Sequence, residues 1–275
     1  MLRNLLLLVE STPSGQVAKE VACQIAAQGD CKLTALQIHE TGWPVDEEHL
    51  KKSPRQLLAE CTGRSDLIEV AGEGESTEER RDAELNIVYR DKALYGHKYT
   101  LLCQESESND LTVLGREGNL AEERRQSAKE VINMMISYQP KPIIVAPPWV
   151  PSGHGILLIC DGSPGSTRAL QLFVAMGLAD GKPVHVLSAH HRRKAAESHA
   201  DAATRYLEDH GLDAVRHTSD TSLAPQVAIE EKVKETGAAM VVMGAYGRSE
   251  WRHGIFGSVT DSLIYYSPVP VFICR

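Results

Sequence analysis

A chain of 275 residues with 42% hydrophobic and 24% charged residues can bury a sizeable core, which excludes disordered, collagen-like and fibrous classes. Lys and Arg number 29 against 37 Asp and Glu, a net charge of −8 that argues against broad binding to nucleic acid or to an anionic membrane. Aromatic residues are only 5%, so the core must be built from Leu, Val, Ile and Ala, a palette suited to buried parallel strands covered by helices.

The first element, residues 5–9, is an apolar run too brief for a signal-peptide core and closed by Glu10, so it reads as a buried strand. No stretch approaches the roughly 20 apolar residues needed to span a bilayer, and the expected compartment is the cytoplasm. Cys23, Cys31, Cys61, Cys103, Cys160 and Cys274 have neither CxxC nor zinc-like spacing and are expected to be reduced, mostly buried thiols. After Glu10, Thr12 and Pro13 predict a helix start, because a hydroxyl oxygen takes an orphan N–H and proline has none to lose. Pro, Gly and charges then cluster over residues 43–74. An apolar run, 110–114, leads into Gly115 and Gly118, and Pro140-Lys-Pro142 precedes a last strand at 143–145.

The same order recurs in the second half. Residues 156–160 run into Asp161-Gly162-Ser163-Pro164, residues 239–243 lead into Gly244 and Gly247, and Pro268-Val-Pro270 precedes a strand to Ile273. Three segments repeated in one order read as a tandem repeat, divided by the Pro-rich stretch 147–153. The expected domains are therefore 1–149 and 153–275. The first 150 residues hold 17 basic and 24 acidic residues, a net −7, and the remainder hold 12 and 13, a net −1. Within the second half, strands are predicted at 156–160, 184–189, 214–217, 240–243 and 269–273. Helices are predicted at 167–178, 193–209, 224–235 and 258–266. Strands alternating with helices of this length predict an α/β fold, a doubly wound, mainly parallel sheet in each domain, with ligands at the carboxyl ends of the strands. Glu10 to Gly115 spans 105 positions and Asp161 to Gly244 spans 83, so about 22 extra residues are expected in the first domain around 43–74.

The strongest chemical motif is Gly244-x2-Gly247-x9-Gly257-Ser258, directly after a predicted strand and leading into a helix. Glycines there permit positive φ and close backbone approach to a ligand, and a helix N-terminus offers orphan N–H groups to phosphate oxygens. Gly-rich turns between strand and helix are also common without any ligand, and Asp161 could equally be a helix-start acid complementing the dipole. Walker A, GxGxxG and HExxH motifs are absent.

The strand ending in Asp161-Gly-Ser, the G-x2-G-x9-G-S loop and the closing Pro-Val-Pro-Val-Phe-Ile strand together resemble the universal stress protein family, here in tandem form. The resemblance implies a five-stranded, mainly parallel sheet per domain (adenine nucleotide alpha-hydrolase-like) and, in one branch, bound ATP. It implies that Asp161 faces the ribose and that the backbone near Ala189 reads the adenine. Gly244, Gly247, Gly257, Ser258 and Val259 would hold the triphosphate, with Met243 beside the pocket and the Ser258 hydroxyl near a divalent metal, Mg²⁺ or Mn²⁺. It also implies a pseudo-dimer of the two domains through the strands at 143–146 and 269–273, with a homodimer or another protein as further partners. The first half departs from the pattern: Glu10 replaces the aspartate, only seven residues separate Gly118 from Gln126-Ser127, and Glu122 and Glu123 fall in that stretch. The first domain is therefore expected not to bind ATP.

Weaker candidates are the basic cluster 190–194, the segment Trp251-Arg252-His253 inside the glycine loop, and Cys160, which reads as an inert thiol beside an anion. The leading reading is a cytoplasmic stress-response protein that binds ATP in its second domain as a nucleotide-responsive regulatory module. A slow ATPase or phosphotransferring enzyme ranks below it, because no catalytic base is evident. The third reading is an interaction protein whose glycine loop holds no nucleotide.

Overall fold

Both apolar runs that end in an acid form strands, and both capped prolines start helices, in the computed structural model of the chain. It describes residues 1–28, 31–39, 78–82, 87–95, 98–117, 122–188, 193–218, 225–245 and 258–275, which divide into the units Leu2–Lys141 and Pro142–Arg275. The stretch 43–74, where the extra residues of the first half were expected, lies outside the described residues.

In the N-terminal unit, β1 (Asn4–Leu8), α1 (Pro13–Gln28), β2 (Lys32–His39), β3 (Glu78–Asp82) and β4 (Ile87–Tyr95) are followed by α2 (Lys98–Ser106), β5 (Leu111–Gly115) and α3 (Glu122–Tyr138). The strand order is β3-β4-β2-β1-β5. All pairs are parallel except β3 with β4. Thr12 Oγ1 accepts the N–H of Gly15 at 3.0 Å, the helix-start bond expected from its place before Pro13.

The C-terminal unit contains β6 (Ile143–Ala146), β7 (Gly155–Ile159), α4 (Pro164–Ala175), β8 (Val184–Ser188), α5 (Arg193–Asp209) and β9 (Ala214–Thr218). It continues with α6 (Pro225–Thr236), β10 (Ala238–Gly244), α7 (Ser258–Tyr266) and β11 (Val271–Cys274). Five of its described strands, β11-β10-β7-β8-β9, are parallel, and β6 joins the β11 edge antiparallel. The chain steps outward from β7 to β8 to β9, then returns past β7 to β10 and β11. With right-handed crossovers the helices of the two excursions cover opposite faces.

The units divide at Lys141, ahead of the Pro-rich stretch, because β6 pairs with β11, Ile144 opposite Phe272. The stretch itself is tied to the C-terminal unit: the Trp149 Nε1–H donates to the Pro268 carbonyl at 2.8 Å. The strands expected to meet, at 143–146 and 269–273, do pair, antiparallel over Ile143–Val145 and Val271–Ile273.

Leu157, Val241 and Phe272 are fully buried, and each such side chain contributes about 1.5–3 kcal/mol relative to exposure. Phe173 of α4 meets Phe272 edge-on, with ring centroids 5.3 Å apart. Helix α5 buries Ala196, Ala200, Ala203 and Leu207, a stripe at helical spacing whose small residues let it lie close to β8 and β9. Among the described residues no helix is long and apolar enough to cross a membrane.

Candidate functional site

The strand order reverses between β7 and β10, which pair directly, Leu158 opposite Val242. A crevice outside the carboxyl ends of strands at such a switch point is where open α/β sheets take ligands. Asp161 lies just beyond β7, Gly244 ends β10, and Ser188 ends β8 on the other side of β7. The fold therefore brings the first-strand acid and the start of the glycine loop to one sheet edge.

Asp161 is half-buried and held by its own turn. Its Oδ1 accepts the N–H of Ser163 at 2.9 Å, and among the described residues Oδ2 has no donor. Ser163 caps α4: its Oγ accepts the N–H of Ser166 at 3.1 Å, with Pro164 in the first turn. Between them Gly162 has φ +72°, and a Cβ placed on it would lie 2.4 Å from Nε2 of His199 in α5.

Gly244 meets a packing requirement that its motif does not announce. It is not among the described glycines of positive φ. Instead, a Cβ there would sit 2.3 Å from the Gly165 carbonyl carbon and the Ser166 nitrogen, so glycine is required by the close packing of α4 on β10. Gly115 repeats this in the N-terminal unit, where a Cβ would lie 2.6 Å from Ser14 Oγ and 2.7 Å from the Gly15 nitrogen. The following residue, Ala245, donates its N–H to the Cys274 carbonyl at 2.7 Å, which ties the loop's start to β11.

Met243 is 5% exposed within β10, in register with Ile273. Ser258 begins α7 and Val259, half-buried, follows it. Ala189, Gly247 and Gly257 lie outside the described residues, as do 190–192 and 251–253. The Cys160 thiol is buried beside Asp161 and its pKa is pushed up to about 12. Burial is the main cause, Asp161 adds to it and the Ser188 hydroxyl opposes it. The carboxylate, the one cause expected from the sequence, is the smaller of the two effects that raise it. Among the described residues Cys23, Cys31, Cys103, Cys160 and Cys274 form no disulfide, and all but Cys103 are buried.

The matching edge of the N-terminal unit is differently built. Glu10 is buried and its carboxylate pairs with the Lys98 ammonium at the start of α2. The turn after β5 is fastened to α1: Ser14 Oγ accepts the N–H of Glu117 at 3.0 Å, and the Thr12 hydroxyl donates to the Glu117 carbonyl at 3.3 Å. Helix α3 already begins at Glu122, so Gln126 lies inside it and not in a loop. Sequence reasoning missed Lys98, which carries no marker in its surroundings, and His199, whose only trace is the glycine it faces.

Residues 154–275 match the universal stress protein family. Chain-wide likeness is looser. A curated universal stress protein, Slr1230 of Synechocystis sp., is 24% identical over 173 residues, covering 60% of this chain and 58% of its own length. The crystal structure of a universal stress protein from Archaeoglobus fulgidus DSM 4304 aligns over 99% of this chain and 98% of its own, with TM-score 0.67 and 18% identity. A putative universal stress protein from Pseudomonas aeruginosa UCBPP-PA14 aligns over 99% of this chain and 93% of its own, at TM-score 0.60 and 13% identity. These structural likenesses extend the α/β fold with its mainly parallel sheet across both units.

Proposed function

We propose that the C-terminal unit binds ATP at the carboxyl edge of β7 and β10 and acts as a nucleotide-responsive regulatory module in a cytoplasmic stress protein. The observation that carries this reading is Asp161 at the switch point, with one oxygen fixed by Ser163 and the other unpaired among the described residues. A carboxylate so oriented suits vicinal ribose hydroxyls, which donate charge-assisted hydrogen bonds. Gly244, Gly247, Gly257, Ser258 and Val259 are the proposed triphosphate-binding residues, Ala189 the adenine-facing position, and Met243 a packing neighbour below them.

The residues fit such a group unevenly, and the unevenness is informative. The start of α7 at Ser258 supplies orphan N–H donors. Its first turn also carries Asp261, whose charge opposes a polyphosphate. Mg²⁺ or Mn²⁺ near Ser258 would offset that repulsion, so binding is expected to depend on a divalent cation. A dissociation constant near 1 mM needs only about −4.1 kcal/mol, within reach of several hydrogen bonds at net values of about 1 kcal/mol each. In the N-terminal unit Lys98 already occupies the acid at the matching position, which supports a single nucleotide site per chain.

The test is to denature the purified protein, identify any released nucleotide by chromatography, and titrate the stripped protein with ATP and Mg²⁺. Gly257→Glu is expected to abolish binding, and Gln126→Ala to leave it intact. Equal loss from both, or no binding at millimolar ATP, refutes the proposal.

A further inference from the structure

The two acids at corresponding strand ends are held in unlike ways. Glu10 is followed by Ser11, which is exposed, and is fixed by an ion pair with Lys98. Asp161 is followed by Gly162 and has no such cation among the described residues. What lies against its turn is an imidazole: Nε2, Cε1 and Cδ2 of His199 fall 2.4, 2.5 and 2.7 Å from the position a Gly162 Cβ would occupy. The ε edge of the ring thus covers the Cα of Gly162. The small-residue stripe Ala196, Ala200 and Ala203 brings α5 near enough to the sheet for this reach. Gly162 also holds φ +72°, a conformation that costs glycine little and other residues more.

We infer that His199 is a positioning residue for the Asp161 turn, clamping Gly162 so that the Asp161 carboxylate is presented to a ribose diol. It acts through the turn, and its role in ligand recognition rests on the nucleotide reading above. The ring fills the space a side chain at residue 162 would need, so the turn keeps its left-handed geometry and Ser163 keeps its N–H on Asp161 Oδ1. Without the ring the turn gains room to relax, and the carboxylate loses its fixed direction.

The first measurement needs no nucleotide. Amide hydrogen exchange by NMR on the full chain reads the Ser163 N–H, whose protection reports local opening of the turn. His199→Ala is expected to speed exchange at Ser163 by about tenfold or more while buried α5 amides such as Ala200 and Ala203 keep their protection. Unchanged exchange at Ser163, or equal loss throughout α5, overturns the positioning role.

The second measurement compares ATP with 2′-deoxy-ATP and 3′-deoxy-ATP. Wild type should favour ATP over each by roughly 10- to 100-fold, the range expected of a hydrogen bond to a charged group. His199→Ala should lose most of that preference while its affinity for the deoxynucleotides stays within about twofold. Retained preference in the variant overturns the inference and leaves the nucleotide reading intact. Wild type that binds none of the three refutes the nucleotide reading and with it the ribose role, while the exchange experiment still decides whether His199 holds the turn.

Discussion

Replacing Gly244 by alanine puts a carbon 2.3 Å from two backbone atoms of α4, where ordinary contact begins at 3.4 Å. Neither neighbour is the tip of a flexible side chain, so α4 or β10 must shift by about 1 Å, and overpacking of this kind costs about 1–3 kcal/mol or more. The rigid backbone partners and the burial of Val241, Val242 and Met243 just before the site put the change at the upper end, about 3 kcal/mol. At roughly 2–4 °C per kcal/mol for a unit of this size, the melting transition should fall by about 10 °C. Calorimetry of the full chain reads it, with Gly155→Ala as the control. Gly155 lies in the same sheet, but a Cβ there meets nothing nearer than 3.5 Å, and its shift should stay within about 3 °C. If Gly244→Ala melts like the control, the packing argument is wrong and the glycine must be kept for the ligand alone.

Three further outcomes are expected. Lys98→Met leaves the buried Glu10 carboxylate without its cation and should cost about 3–5 kcal/mol, much of it recovered in Glu10→Gln/Lys98→Met; equal stability of the single and double variants would contradict the pairing. His185 and His217, linked by a ring-nitrogen hydrogen bond of 3.1 Å, both titrate below their usual value. Burial is the main cause, followed by the charge of Lys232 on α6 and, for His217, the His185 ring, with Glu235 opposing. The unfolded chain therefore takes up protons first as pH falls below about 6.5. The stability given by the neutral pair is complete above that pH and is lost as pH falls toward the folded values. The drop in Tm between pH 7.5 and 5.5 should shrink in His217→Gln, and an unchanged drop would remove the pair from the account. Finally, the Cys160 thiol, raised to about 12 and buried, should resist alkylation at pH 8 in the native protein, whereas the less buried Cys103 reacts first; modification of Cys160 at the rate of Cys103 would contradict that environment.

The secondary structure of the C-terminal half was legible because each signal had a local cause. Ser163-Pro164 starts α4 by capping, and the runs at 156–160 and 240–243 are buried strands of a parallel sheet. Helix α5 falls at the expected bounds, since its alanine stripe has helical spacing. Tertiary requirements were less visible. Gly244 announces itself as glycine, but the reason for it, the first turn of α4, is some 80 positions earlier in the chain. Likewise Lys98 finds Glu10 across 88 positions, and His199 reaches Gly162 from another helix. The strand before the Pro-rich stretch 147–153 pairs with β11, a partner more than a hundred positions further along the chain. Composition marks where a chain can turn and does not say which distant strand will pair beside that turn.

The central claim is one nucleotide site per chain, in the C-terminal unit. Isothermal titration of nucleotide-free protein with ATP and Mg²⁺ tests it most directly, run in parallel on wild type, Asp161→Asn and Glu10→Gln. The account predicts a stoichiometry of one with a Kd of about 1 mM or tighter, weakened about tenfold or more by Asp161→Asn and unaffected by Glu10→Gln. A stoichiometry of two, or a loss caused by Glu10→Gln and not by Asp161→Asn, would contradict it.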